Sequence, residues 1–382
     1  MARYDLILKG GRVVDPSQQL DQVADVAFAG GRVAAIGADL VQRGADQVLE
    51  VAGRIVTPGL IDLHSHVYHG GTALGVDAER VARRSGTTTF LDVGSAGPGN
   101  FVGFKALVID RAAVRIKALL NISFAGIFAF GPKMMVGECL NLDLLEPKEA
   151  VRVARAYPDD ILGIKVRVGR VTSGGHGLGP VHLALEAADL LQLPLMAHID
   201  EPPPSLDELL GVLRPGDILT HCCRPFPNAP VRADGRVREA LLAARERGIV
   251  FDIGHGSGSF EFESARQLLD LGFKPDVISS DVHVLNVDAG PAYDLLMTMS
   301  KFLALGLDLD DVVQRATVNP ANAMRLAELG TLAPGAPGDA SVLELAEGSF
   351  VYQDVVGERL ESDRRLLAKA VIIAGRVWHA AD

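Results

Sequence analysis

Eight short apolar runs, each followed by a stretch of helical spacing, fill the middle of this chain and leave few folds open to it. The runs close near His66, Gly94, Ser123, Val168, Asp200, Cys223, His255 and His283. Between them the apolar period lengthens to that of helices, for example over residues 149–156, 183–191, 236–247 and 264–271. Near-continuous apolar strands alternating with helices specify a parallel sheet covered by crossover helices. Eight such units over roughly 270 residues match a closed (β/α)8 TIM barrel. An open doubly wound sheet competes, but it calls for a Gly-x-Gly-x-x-Gly turn after the first strand, and none stands there.

The ends of the chain have another texture. Before residue 54 and after residue 330, short alternating strands are broken by glycine pairs such as Gly10-Gly11 and Gly30-Gly31, with no long helical pattern. The expected organisation is a small β-sandwich built from both termini, residues 1–54 with 331–382, beside a barrel over 55–330. A net charge of −11 with no basic run argues against a nucleic-acid partner. No apolar run is long enough to cross a membrane, and a strand begins so early that it leaves no room for a signal peptide. Three cysteines, two of them adjacent, form no disulfide framework and suit a reducing cytoplasm. The expected partner is a small molecule, and homo-oligomerisation stays open.

Barrel chemistry gathers at the C-terminal ends of the strands. The first run ends in His64-Ser65-His66, and residues two apart on a strand face the same way. The fourth places Lys165 inside Ile161-Leu162-Gly163-Ile164-Lys165-Val166-Arg167. The fifth ends in His198, the sixth in His221 and the eighth in Asp281. Taken singly, a histidine closing an apolar strand is more often a hydrogen-bonded core residue, and an aspartate there is often a helix cap. Six such residues at one end of one barrel point instead to metal ligation. Imidazole and carboxylate suit zinc. Four imidazoles and one aspartate hold two divalent ions if an anion bridges them. A buried lysine is costly unless paired or neutralised. Addition of carbon dioxide to its amine gives a carbamate, which removes the cation and supplies that bridge.

The order His-x-His, Lys, His, His, Asp resembles the amidohydrolase superfamily of binuclear metallohydrolases. Residues 55–66, Ile-Val-Thr-Pro-Gly-Leu-Ile-Asp-Leu-His-Ser-His, resemble its dihydroorotase and D-aminoacylase branch. Residues 198–203, 219–222, 252–260 and 279–283 are similar to a group within it, known as amidohydrolase/deacetylase or dihydroorotase-like, some of whose members deacetylate α-acyloxy or N-acyl carboxylates. The resemblance implies that His64, His66 and Asp281 hold a buried metal, that His198 and His221 hold a second, and that carboxylated Lys165 bridges them. It implies a metal-bridging hydroxide as nucleophile, with Asp281 as general acid and base. Dihydroorotases carry an arginine two residues after the histidine pair; Tyr68 stands there instead.

Other positions are open. Strand parity aims Arg167 at the barrel mouth, to clamp a substrate carboxylate or to pair with a loop carboxylate. His255 beside a Gly-Ser loop, His69 just past the metal pair and His283 are candidate substrate contacts. Cys223 shares the parity of His221 but reads as packing. Residues 169–179 read as a loop able to close over substrate. The leading function is hydrolysis of an amide or ester bond in a small acylated carboxylate. Cyclic amide hydrolysis, of dihydroorotase or hydantoinase type, is the alternative. A non-catalytic dihydroorotase-like scaffold is a third, and such a chain would have lost ligands that this one keeps.

Overall fold

The computed structural model describes residues 4–381. Residues 1–3 and 382 of the expected terminal unit lie outside the described residues. Seven parallel strands, Leu60–Ser65, Thr87–Val93, Arg115–Asn121, Ile161–Val168, Leu195–Ile199, Ile218–Thr220 and Val250–Asp252, are hydrogen-bonded in chain order. The expected eighth strand joins both neighbours through single bridges, Asp252 to Val277 and Ser65 to Val282, and so closes the ring. It is not a regular strand because part of its backbone is diverted from the ladder. The Ser280 N–H donates to the Asp62 carboxylate at 3.0 Å rather than to a neighbouring carbonyl, and Asp281 takes a left-handed φ of 49°. The sixth and seventh strands stop at Thr220 and Asp252, short of Cys223 and His255. Beyond them His221 and Gly254 turn to φ 68° and 45°.

Ile61, Leu63, Leu91, Val93, Leu119, Met196, Ile218 and Val277 form one apolar cluster with Ala321, Met324 and Leu329. Strands from opposite sides of a ring share a cluster only through its interior, so these residues plug the barrel. Two residues further along the same strands come Asn121, His198 and Thr220, on the same face. The apolar plug thus sets the floor on which the polar strand ends stand.

The termini form one continuous eight-stranded ladder. Its longest members are Tyr4–Asp15, Ala340–Gln353 and Arg359–Ile373. Ile55–Pro58 belongs to it, pairing with Tyr4–Asp15 on one side and Ala340–Gln353 on the other. Only Gly59 separates this sheet from the first barrel strand. A Cβ at Gly59 would lie 2.2 Å from Thr88 Oγ1, so the close crossing requires glycine. Among the described residues no helix is long and apolar enough to cross a membrane.

Candidate active site

The first strand ends by presenting His64 and His66, both buried, and each ring is fixed from behind. His64 Nδ1 lies 2.8 Å from Thr220 Oγ1, and that hydroxyl donates to Asp252 at 2.7 Å. A hydroxyl whose proton is committed to a carboxylate accepts from the ring. His221 Nδ1 donates to the Gly254 carbonyl at 2.6 Å. His66 Nδ1 meets Ser95 Oγ at 2.9 Å, in a turn held by Asp92. These partners place the ring proton on Nδ1 of His64 and His221 and leave Nε2 as a lone-pair donor. Burial holds the rings neutral, bringing His66 down to about 3 and His64, His198 and His221 well below their ordinary value.

Asp281 Oδ1 lies 3.3 Å from His64 Nε2 and 3.2 Å from His66 Nε2. With the His64 ring proton on its far side, electron-rich atoms face one another here, an arrangement that repels unless a cation sits among them. The three side chains offer ligand atoms within 4.8 Å of one another. The donor set therefore fits a divalent ion.

Lys165, from the fourth strand, is fully buried and, among the described residues, has no hydrogen-bond partner for Nζ. Its charge acts on His64, His66, His198 and His221 alike and works against their protonation. Burial brings the amine down to about 7, although Asp281 favours its charged form. At neutral pH much of it is the free base, the form able to add carbon dioxide. His198 Nε2 is also buried and unpartnered, with its ring centroid 4.6 Å from that of His221. Burial raises Asp281 to about 6, against the pull of His283 and Lys165.

Above these groups opens a cavity of about 320 Å³, lined by His64, His66, His198, His221, Asp281 and His283. Leu74, Phe130, Met135 and Leu285 give it an apolar wall, and Arg167, Arg224 and Asp200 add charge. Arg167 reaches this mouth, and its Nε lies 3.2 Å from Glu138 Oε1, so the loop-carboxylate pairing left open above is present. His283 Nδ1 accepts from the Leu285 N–H at 3.2 Å, which leaves Nε2–H as the remaining donor of its neutral ring.

Two expected substrate contacts are not on the cavity. His255 is buried against Phe260, with Nε2 2.7 Å from Lys301 Nζ and Nδ1 3.0 Å from the Gly256 carbonyl. Both ring nitrogens are engaged, and the turn at Gly254 points the ring away from the mouth. His69 is exposed and borders a separate cleft with Asp77, Glu79 and Arg111. Cys223 is buried in the outer core, as its packing role implies.

A deacetylase from Agrobacterium fabrum is 34% identical to this chain over 338 residues, covering 87% of the chain and 81% of the relative. The Amidohydrolase family pattern matches residues 242–377. The chain belongs to the amidohydrolase family. Two solved structures superpose on this amidohydrolase along nearly all of its length. One is described as an adenine deaminase, with TM-score 0.91, 30% identity, and coverage of 98% of this chain and 100% of that one. The other is described as a dihydroorotase, with TM-score 0.90, 32% identity, and coverage of 98% and 99%. The fold is common to the two solved structures, and the activities in their descriptions differ.

Several residues of the amidohydrolase site escaped the sequence reading. Thr220, Asp252, Ser95 and Asp92 sit behind the histidines. Of these, Asp252 carried a signal, a carboxylate closing the apolar run Val250–Asp252. Arg224 follows the sixth strand by a turn, where strand parity no longer aims a side chain. Glu138 comes from a long loop.

Proposed function

We propose that this amidohydrolase removes an acyl group from a small carboxylate-bearing amide or ester, using two divalent ions held by six side chains. His64, His66 and Asp281 would hold one ion, His198 and His221 the other, and Lys165, carboxylated by CO2, would bridge them. The observation that carries the reading is the meeting of His64 Nε2, His66 Nε2 and Asp281 Oδ1 beside the orphaned Lys165 amine. Two such ions, most naturally zinc, supply acidification of a water and polarisation of the scissile carbonyl.

The chain's own groups would do the rest. Asp281 would take a proton from the attacking water and return it to the leaving nitrogen or oxygen. His283 offers an N–H to a substrate oxygen. The apolar wall of Leu74, Phe130, Met135 and Leu285 receives the carbon skeleton and excludes water, while an arginine orients the carboxylate. Three free, buried cysteines suit a reducing compartment, and we assign the activity to the cytoplasm.

The name of the Agrobacterium relative supports deacylation. Cyclic amide hydrolysis is the second reading, favoured by the solved structure described as a dihydroorotase; Tyr68 in place of the arginine expected of such enzymes weighs against it. The deciding experiment is a hydrolysis screen of N-acyl amino acids, α-acyloxy acids and cyclic amides with zinc-loaded protein. Turnover of the open-chain acyl compounds and not of the rings is expected. Turnover of dihydroorotate or a hydantoin alone overturns the reading.

A further inference from the structure

We propose that Arg224, and not Arg167, binds the carboxylate of the substrate; the inference rests on the acylated-carboxylate reading above and names the residue that enforces it. Both guanidinium groups line the cavity, but they differ in what already neutralises them. Arg167 has its Nε 3.2 Å from Glu138 Oε1, an ion pair though not one aligned as a hydrogen bond, with the two side chains only 6% and 2% exposed. Its Cζ also lies 4.4 Å above the Phe130 ring, which covers one face of the fork. That charge already faces a carboxylate within the protein.

Among the described residues Arg224 has no such partner. The residue is 7% exposed, and its Nε and Nη1 are shielded from solvent without a hydrogen-bond acceptor. Among the described residues no carboxylate forms an ion pair with it. The acidic groups whose charge reaches it are Asp200 and Glu201. The Asp200 oxygens already accept from Val171 N, Thr172 Oγ1 and Glu201 N at 3.2, 2.9 and 2.6 Å, and Glu201 is exposed. A buried guanidinium without an acceptor is costly to keep. A fork of this kind fits a planar carboxylate, and the cavity brings one to it. Because the turn after His221 carries Arg224, the anion would be held a fixed span from the metal-ligating histidines, which sets where the scissile bond falls.

The test compares wild type, Arg224→Met, Arg224→Lys and Arg167→Met, each purified with its metals. Thermal unfolding is followed with acetate, and with acetamide as the neutral control. Acetate is expected to raise the melting temperature of wild type and Arg167→Met but not of Arg224→Met. Arg224→Met itself should melt at or above wild type, since an uncompensated charge is gone. Arg167→Met should melt below it, since Glu138 is left buried alone. An acetate effect that survives in Arg224→Met, or a clear loss of stability in that variant, overturns the proposal. Kinetics on an N-acetyl amino acid and its primary amide form the second arm. Arg224→Met should raise KM for the acid roughly 10- to 100-fold and leave the amide within about 3-fold. Arg224→Lys, which keeps the charge but not the fork, should fall between. Equal effects on both substrates, or a selective effect in Arg167→Met instead, overturn it. If wild type does not distinguish acid from amide, the acylated-carboxylate reading fails, and the acetate arm still judges Arg224.

Discussion

At the scale of single residues, the site brings ligand atoms of His64, His66 and Asp281 within reach of one shared point. His64 and His66 point Nε2 at Asp281 Oδ1 across 3.3 and 3.2 Å because Thr220 and Ser95 hold the other face of each ring. Asp281 is held in turn from its backbone: its N–H donates to the His64 carbonyl at 2.7 Å, and its own carbonyl accepts from Asn286 Nδ2 at 2.8 Å. Asp281→Asn should therefore keep its place and its ligand oxygen while losing the ability to carry a proton. Its kcat should drop on the order of 10²–10⁴-fold with metal content nearly unchanged. Steady-state rates and elemental analysis of the same preparation check this. A rate within a few-fold of wild type would make Asp281 a ligand only.

At the scale of elements, the helix Leu295–Ala304 does more than cover the barrel. Its Lys301 is 1% exposed and donates to His255 Nε2, the Pro291 carbonyl and the Gln353 carbonyl at 2.7, 2.8 and 2.7 Å. One amine thus ties the turn after the seventh strand, the loop after the eighth and the long terminal hairpin. Unlike Arg224 it is fully satisfied, so Lys301→Met should destabilise by on the order of 2–4 kcal/mol, by stranding buried acceptors. Burial also brings this amine down to about 7 from 10.5. Between those values the unfolded chain binds more protons than the folded one, so this group makes stability rise with pH from about 7 toward 10. Urea unfolding at pH 7 and pH 9 should show a larger gain for wild type than for Lys301→Met. Equal gains would mean that Lys301 stays charged throughout.

At the scale of the whole molecule, what could be read from the chain followed from periodicity. Apolar runs of strand length separated by helical spacing fix the barrel, and a ligand at a strand end inherits its direction from the strand. That is why His64, His66, Lys165 and His198 could be expected at strand ends before any coordinates, whereas His221 and Asp281 lie just past regular pairing in left-handed backbone. Where regular pairing ends, the rule ends with it. His255 and Arg224 lie past turns with left-handed backbone: the first, expected at the substrate from its place beside the Gly-Ser loop, is not among the cavity-lining residues, and strand parity was silent on the second. Glu138 and Phe130 arrive from a loop whose path no period encodes, and so the partner of Arg167 stayed undecided. Lys301 was open to the argument used for Lys165, a lysine inside an apolar run, but a helix of mixed polarity hides such a residue better than a barrel strand does. The proposed site requires two metal ions bridged through Lys165, and counting metal tests it most directly. Elemental analysis of protein purified without chelator and supplied with zinc and bicarbonate should find about two ions per chain, falling to one or fewer in Lys165→Ala. A wild-type content that stays below one ion per chain after supplementation would contradict the binuclear site.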